Sequence, residues 1–188
     1  MALPVAPMTL PAADDDNGRQ FTTHHVVDTH VRGKALSVVY MNDPVSVESS
    51  IQTTEQFLAE DKYRVVGFDL EYTIGCAGHD QKVSVAQLCV RHDVLVYHFH
   101  LARRPGERFS RFSNNSDYMN SLVDLASAII DPYYAKMKNE SNKDKNAWHS
   151  VWHKRLDEQH VKYAAMDAYT SYEMYRRIVD MRKCLLPD

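Results

Sequence analysis

Cysteine is scarce in this chain. Cys76, Cys89 and Cys184 are odd in number and show no metal-ligand spacing, which excludes a disulfide framework or a cysteine zinc module and fits free thiols in a reducing compartment. Positive charge is not in excess either: the formal net charge is -3, so there is no overall basic footprint, and any contact with nucleic acid has to come from local patches. No apolar run approaches the roughly 20 residues of a membrane span. The opening stretch, MALPVAPMTLPAADDDNG, lacks the positive n-region of a signal or transit peptide and turns acidic, so residues 1–20 read as a disordered tail. These absences together lead to the expectation of an intracellular protein, nuclear or cytoplasmic, with no membrane partner.

What is present is one domain, expected over residues 21–188. The chain has 188 residues, of which 44% are hydrophobic and 25% charged, the balance of a soluble globular protein long enough to bury a core. Three basic patches stand out: Arg103, Arg104, Arg108 and Arg111; Lys136, Lys138, Lys143 and Lys145; and Arg176, Arg177, Arg182 and Lys183. Each taken singly reads as a solvated charged face. His24, His25 and His30, and further on His149, His153 and His160, lack a ligand pattern and read as surface or packing residues.

Periodicity organises the rest. HHVVDTHV and KALSVVYM read as two short strands joined by a turn at Gly33, a hairpin leading into the domain. Asp43 followed by Pro44 starts a helix whose apolar face continues through Val47, Ile51, Thr54 and Leu58 to about Asp61. Three strands follow, Val65 to Tyr72, Val83 to Val90 and Val94 to Phe99, and their short connections make them an antiparallel meander. A helix is expected from Ser121 to Ile130, and a longer one from an N-cap at Asp157 to about Arg182. The fold class is α/β.

The first strand of the meander carries VVGFDLEYTIG. Side chains alternate along a strand, so Asp69 and Glu71 point to one side and Phe68, Leu70 and Tyr72 to the other. The apolar run from Val65 to Phe68 is that of a strand covered on both faces, where an unpaired charge is costly. Two readings follow. Either a divalent cation held by oxygen ligands compensates the pair, or the carboxylates sit in water at a fraying strand end. In the last helix, YAAMDAYTSYEMY sets Tyr163 and Asp167 four residues apart on one face. Ala164, Ala165 and Ala168 are small enough to let that helix lie close to a sheet. The alternative for Tyr163 is a core aromatic, and for Asp167 a helix-surface charge.

Taken together, FDLEY, SVAQLCV and YAAMDAYTSYEMY resemble the DEDD superfamily of 3'-5' exonucleases. The Y-x-x-x-D spacing resembles the tyrosine branch, which includes ribonuclease D and the Werner syndrome exonuclease domain, and within it the plant Werner-like exonucleases of similar size. The resemblance runs from about Phe21 onward. It implies a ribonuclease H-like fold, two Mg²⁺ or Mn²⁺ ions, and hydrolysis at the 3' end of DNA or RNA. By motif it implies that Asp69, Glu71 and Asp167 are metal ligands and that Tyr163 orients the attacking water.

The family's second motif, an aspartate at the start of a helix after a fourth strand, is missing between Phe99 and Ser121. Asp117, Asp124 and Asp131 are in the wrong context to replace it. The loss implies a truncated sheet whose strand from Val65 to Tyr72 is left as an edge, covered either by another segment such as the 101–120 loop or by a second molecule in self-association. It also implies weak activity. The alternative is an inactive family member that binds nucleic acid or a protein as a regulator.

Overall fold

The structure is a computed structural model and describes residues 19–29, 33–72, 83–102, 126, 130–131 and 151–185. Its elements in chain order are β1 (Thr22–Asp28), β2 (Ala35–Met41), α1 (Pro44–Glu60), β3 (Gly67–Tyr72), β4 (Val83–Val90), β5 (Asp93–His98) and α2 (Glu158–Leu185). The five strands form one sheet in the order β1-β2-β5-β4-β3. β3, β4 and β5 are successive antiparallel neighbours, and β2 joins β5 in parallel with Ser37 opposite Asp93 and Met41 opposite Tyr97.

The sheet is therefore larger than the expected three-strand meander. The β1–β2 hairpin is not a lead-in but two strands of the same sheet, because β2 carries apolar side chains on both faces and has to be covered on both. Leu36, Val38 and Tyr40 enter one core with Val85, Val94 and Val96, while Met41 enters another with Val47, Leu95 and Tyr97. Such two-faced apolar strands belong inside a sheet, and β2 and β5 occupy its centre. β3 is the outermost strand among the described residues.

Local chemistry sets the helix ends. Asp43 caps α1: its carboxylate accepts from the Val45 N–H at 3.1 Å and the Ser46 N–H at 3.2 Å, with Pro44 in the first turn. Asp157 does the same for α2, accepting from the His160 N–H at 2.9 Å. The expected helix from Ser121 to Ile130 falls largely outside the described residues. Within it Ala126 and Ile130 are buried, and the Ile130 N–H donates to the Ala126 carbonyl at 2.8 Å. The tail over residues 1–18 and the first two basic patches also lie outside them.

The expectation of a first meander strand from Val65, covered on both faces, needs correction. The strand begins at Gly67, after Arg64 has taken a positive φ of 50°, and on its outer face Phe68 and Tyr72 are 37% and 41% exposed. α1 packs against β4 and β5, and α2 crosses the other face of the sheet from β3 to β2. Coverage of β3 is thus one-sided among the described residues.

Gly67 sets how close α2 comes. A Cβ placed there would lie 2.0 Å from the Ala168 carbonyl oxygen and 2.8 Å from Tyr172. Ala164, Ala165 and Ala168 are all fully buried at this contact, so small residues on both partners allow backbone to approach backbone. Below it, Asp61 fastens the loop that leads into β3. Its carboxylate accepts from the N–H groups of Tyr63 at 2.9 Å and Arg64 at 3.2 Å, and from the Tyr172 hydroxyl at 2.9 Å.

Gly67→Ala should cost about 3 kcal/mol or more, because the obstructing atom is helix backbone and cannot rotate away. Denaturant unfolding of the variant checks this, and a loss below about 1 kcal/mol would show that α2 can retreat without penalty.

Candidate functional site

The close contact at Gly67 carries the acidic residues with it. Moving along β3 from Gly67 to Glu71, the α2 residues encountered step back from Tyr172 and Ala168 to Asp167 and Tyr163, so the helix runs against the strand. Asp69 and Glu71 share the Gly67 face. One ligand oxygen from each of Asp69, Glu71 and Asp167 lies within 4.8 Å of the others. Immediately after Glu71 the β3–β4 register shifts, the kind of interruption that re-aims a strand end.

All four side chains singled out from the sequence meet here. Asp167 is 8% exposed, which removes the reading of a helix-surface charge. Asp69 and Glu71 are half-buried within β3. The Tyr163 hydroxyl hydrogen-bonds to Asp167 and feels the charges of Glu71 and Asp69. Asp131 is not a member of the cluster, and Asp117 and Asp124 lie outside the described residues.

Burial and mutual repulsion set the ionisation. Burial pushes the Asp69 carboxyl up to about 6 against a backbone hydrogen bond from Leu70. Burial, and then the charges of Asp69 and Asp167, push Glu71 up to about 9. Burial and the Asp69 charge push Asp167 up to about 8, opposed by the hydrogen bond from Tyr163. Burial, with the neighbouring carboxylates, raises the Tyr163 phenol as well, so it stays a proton donor.

The donor set suits a hard divalent cation: among the described residues it is all carboxylate oxygen, with no imidazole or thiolate, and the charges that act on Glu71 and Asp167 come from the other acids. Other buried acids in the fold are answered by cations. Glu173 is raised by burial, but hydrogen bonds from Arg176 at 2.6 Å and Arg177 at 2.9 Å outweigh this and lower its pKa overall. The third basic patch is therefore not simply a solvated face, since Arg176 and Arg177 are spent on Glu173, and Arg177 also donates to the Ile130 carbonyl at 2.8 Å. Only Arg182 and Lys183 of that patch are exposed.

Sequence reasoning passes over Gln87, Asp61 and the buried Tyr40–His98 pair, whose hydroxyl and Nδ1 lie 2.8 Å apart. For Gln87 a signal exists: it is the one amide in the largely apolar VSVAQLCV. For the others the partners are too far apart in sequence to suggest each other.

No protein-family model matches the chain, and no curated protein matches it. Among solved structures, the crystal structure of the Aedes aegypti Nibbler EXO domain is similar over 79% of this chain and 90% of that one, with 15% sequence identity and a TM-score of 0.48. So remote a likeness carries no weight for the site, which stands on its own residues. Among the described residues no helix is long and apolar enough to cross a membrane.

The raised carboxyls make a linkage prediction. Their unfolded pKa values lie near 4, below the folded values of about 6, 8 and 9. The stability they contribute is fully present below about pH 4 and lost as pH rises through that range. Asp167→Asn should accordingly be more stable than the wild type at pH 8 without metal, by about 0.5–2 kcal/mol, and the difference should vanish near pH 4. Millimolar Mg²⁺ should raise the melting temperature of the wild type more than that of the variant. Calorimetry at the two pH values, with and without Mg²⁺, measures both effects. A wild type more stable than Asp167→Asn at pH 8 without metal would contradict the charge repulsion.

Proposed function

We propose that the chain is a divalent-cation-dependent hydrolase of nucleic acid 3' ends, with a ribonuclease H-like fold of the 3'-5' exonuclease type. The observation that carries this reading is the convergence of Asp69, Glu71 and Asp167 on one point, with the Tyr163 hydroxyl bonded to Asp167. The motif resemblance of FDLEY and YAAMDAYTSYEMY to the tyrosine branch, in its plant Werner-like form, supports the same roles.

Asp69, Glu71 and Asp167 would hold Mg²⁺ or Mn²⁺. Bound there, such a cation would supply Lewis-acid polarisation of a phosphodiester and stabilisation of the negative charge that develops on it. Tyr163 stays protonated and so positions a nucleophile by hydrogen bonding rather than by removing its proton. Three carboxylates hold one cation better than two, so activity is weak beside that of a site with four, by roughly a few hundredfold if one electrostatic clamp is lost. Self-association through β3, the outermost strand among the described residues, belongs to the same reading.

One observation favours a second reading, a non-catalytic relative that binds nucleic acid or a protein partner: among the described residues no fourth acid joins the cluster.

On 5'-labelled single-stranded and 3'-recessed substrates, the purified chain should shorten strands from the 3' end only with Mg²⁺ or Mn²⁺. Asp69→Ala should abolish the activity, and Tyr163→Phe should lower it about 10- to 100-fold. Cleavage that survives Asp69→Ala would exclude this site as its source, and intact substrate at high enzyme and metal would leave the binding reading.

A further inference from the structure

Gln87 faces the acidic cluster from the strand next to β3. In the β3–β4 ladder it lies directly opposite Asp69, so the two side chains project from the same face of the sheet, with Cβ atoms about 4.5–5.5 Å apart by the geometry of such pairs. That face is the one under α2, since the residues flanking Gln87 at alternate positions, Val85 and Cys89, pack with Ala164, Ala165 and Ala168. The side chain is fully buried, and among the described residues neither its Oε1 nor its Nε2 has a hydrogen-bond partner.

A buried amide left unpaired costs about 1–3 kcal/mol, more than most single contacts return, so its persistence needs a reason. On this face of β3 and β4 the other polar side chains are Asp69, Glu71 and the Cys89 thiol, and Cys89 donates to the Arg91 carbonyl at 3.8 Å. Across β5 the diagonal polar neighbour is His98, whose Nδ1 is engaged with the Tyr40 hydroxyl at 2.8 Å and whose buried Nε2 has no hydrogen-bond partner among the described residues. The group directly facing Gln87 is the Asp69 carboxylate.

We propose that Gln87 is a positioning residue of the acidic cluster, its amide N–H donating to the Asp69 carboxylate when that carboxylate is charged and turned toward a bound cation. The amide supplies directional donors without adding to the negative charge of three carboxylates that already repel one another. It acts through Asp69 rather than on the cation itself, the part that second-layer partners play for metal ligands generally. This assignment rests on the metal-site reading above.

Mn²⁺ titration of the full chain, by calorimetry and by loss of the free-ion paramagnetic resonance signal, tests both ideas separately. Gln87→Met keeps the length and removes the amide; Gln87→Leu serves as a second variant if the first does not fold. Either should melt no lower than the wild type without metal, because an unpaired buried amide has been removed, yet bind Mn²⁺ about 10- to 100-fold more weakly. A Gln87 variant that folds normally and binds Mn²⁺ within about twofold of the wild type overturns the role of Gln87 alone. Gln87→Glu has no N–H and should not restore affinity; tighter binding by it would overturn the donor assignment by showing that the oxygen ligates. A wild type that binds no Mn²⁺ at millimolar concentration overturns the metal site, and this inference with it.

Discussion

The approach of α2 to β3 at Gly67 governs the site. Where a Cβ would meet the Ala168 carbonyl oxygen at 2.0 Å, only a glycine on the strand and an alanine on the helix let the two backbones lie so close. Asp167, the residue before Ala168, is carried down with the helix to the level of Asp69 and Glu71. A wider separation would leave three isolated acids at a sheet edge. Asp61 guards this spacing from below by bonding the Tyr172 hydroxyl at 2.9 Å and the loop amides that feed β3.

Buried acids in this molecule fall into two groups, and the contrast identifies which are structural. Glu173 has Arg176 and Arg177, and Asp61 has two backbone amides, the Tyr172 hydroxyl and the Arg91 guanidinium at 3.4 Å. Both are fully answered, as buried charges in a stable fold need to be. Asp69, Glu71 and Asp167 are raised first by burial and, for Glu71 and Asp167, by neighbouring carboxylates, against only the Leu70 backbone N–H on Asp69 and the Tyr163 phenol on Asp167. A domain able to satisfy its other buried acids so thoroughly retains this unsatisfied set at a cost in stability, which is the usual mark of a site kept for function.

The same contrast bears on charge as a guide to partners. Arg176 and Arg177 look like part of a basic patch in sequence but are consumed within the fold, so counting them toward nucleic-acid binding overstates the positive surface. The exposed groups described toward the end of this helix are instead Tyr175, Ile178 and Met181, with Arg182 and Lys183 beyond them.

Several features were legible in the sequence because their physics is local. The cap at Asp43 with Pro44, the cap at Asp157, the strand Val83–Val90 and the period that puts Asp69 with Glu71 and Tyr163 with Asp167 all follow from neighbours within one turn or one pleat. The sequence by itself thus determined the elements and the face on which each candidate residue sits. Tertiary structure alone decided that β2 would pair in parallel with β5 and enlarge the sheet, that Phe68 and Tyr72 on the outer face of β3 would stay partly exposed, and that Gln87 would stand opposite Asp69. It alone decided, too, that Asp61 would find Tyr172 across 111 residues. Those outcomes depend on which apolar faces are buried against each other and on how close two backbones come, and such long-range terms have no signature in the spacing of residues along the chain.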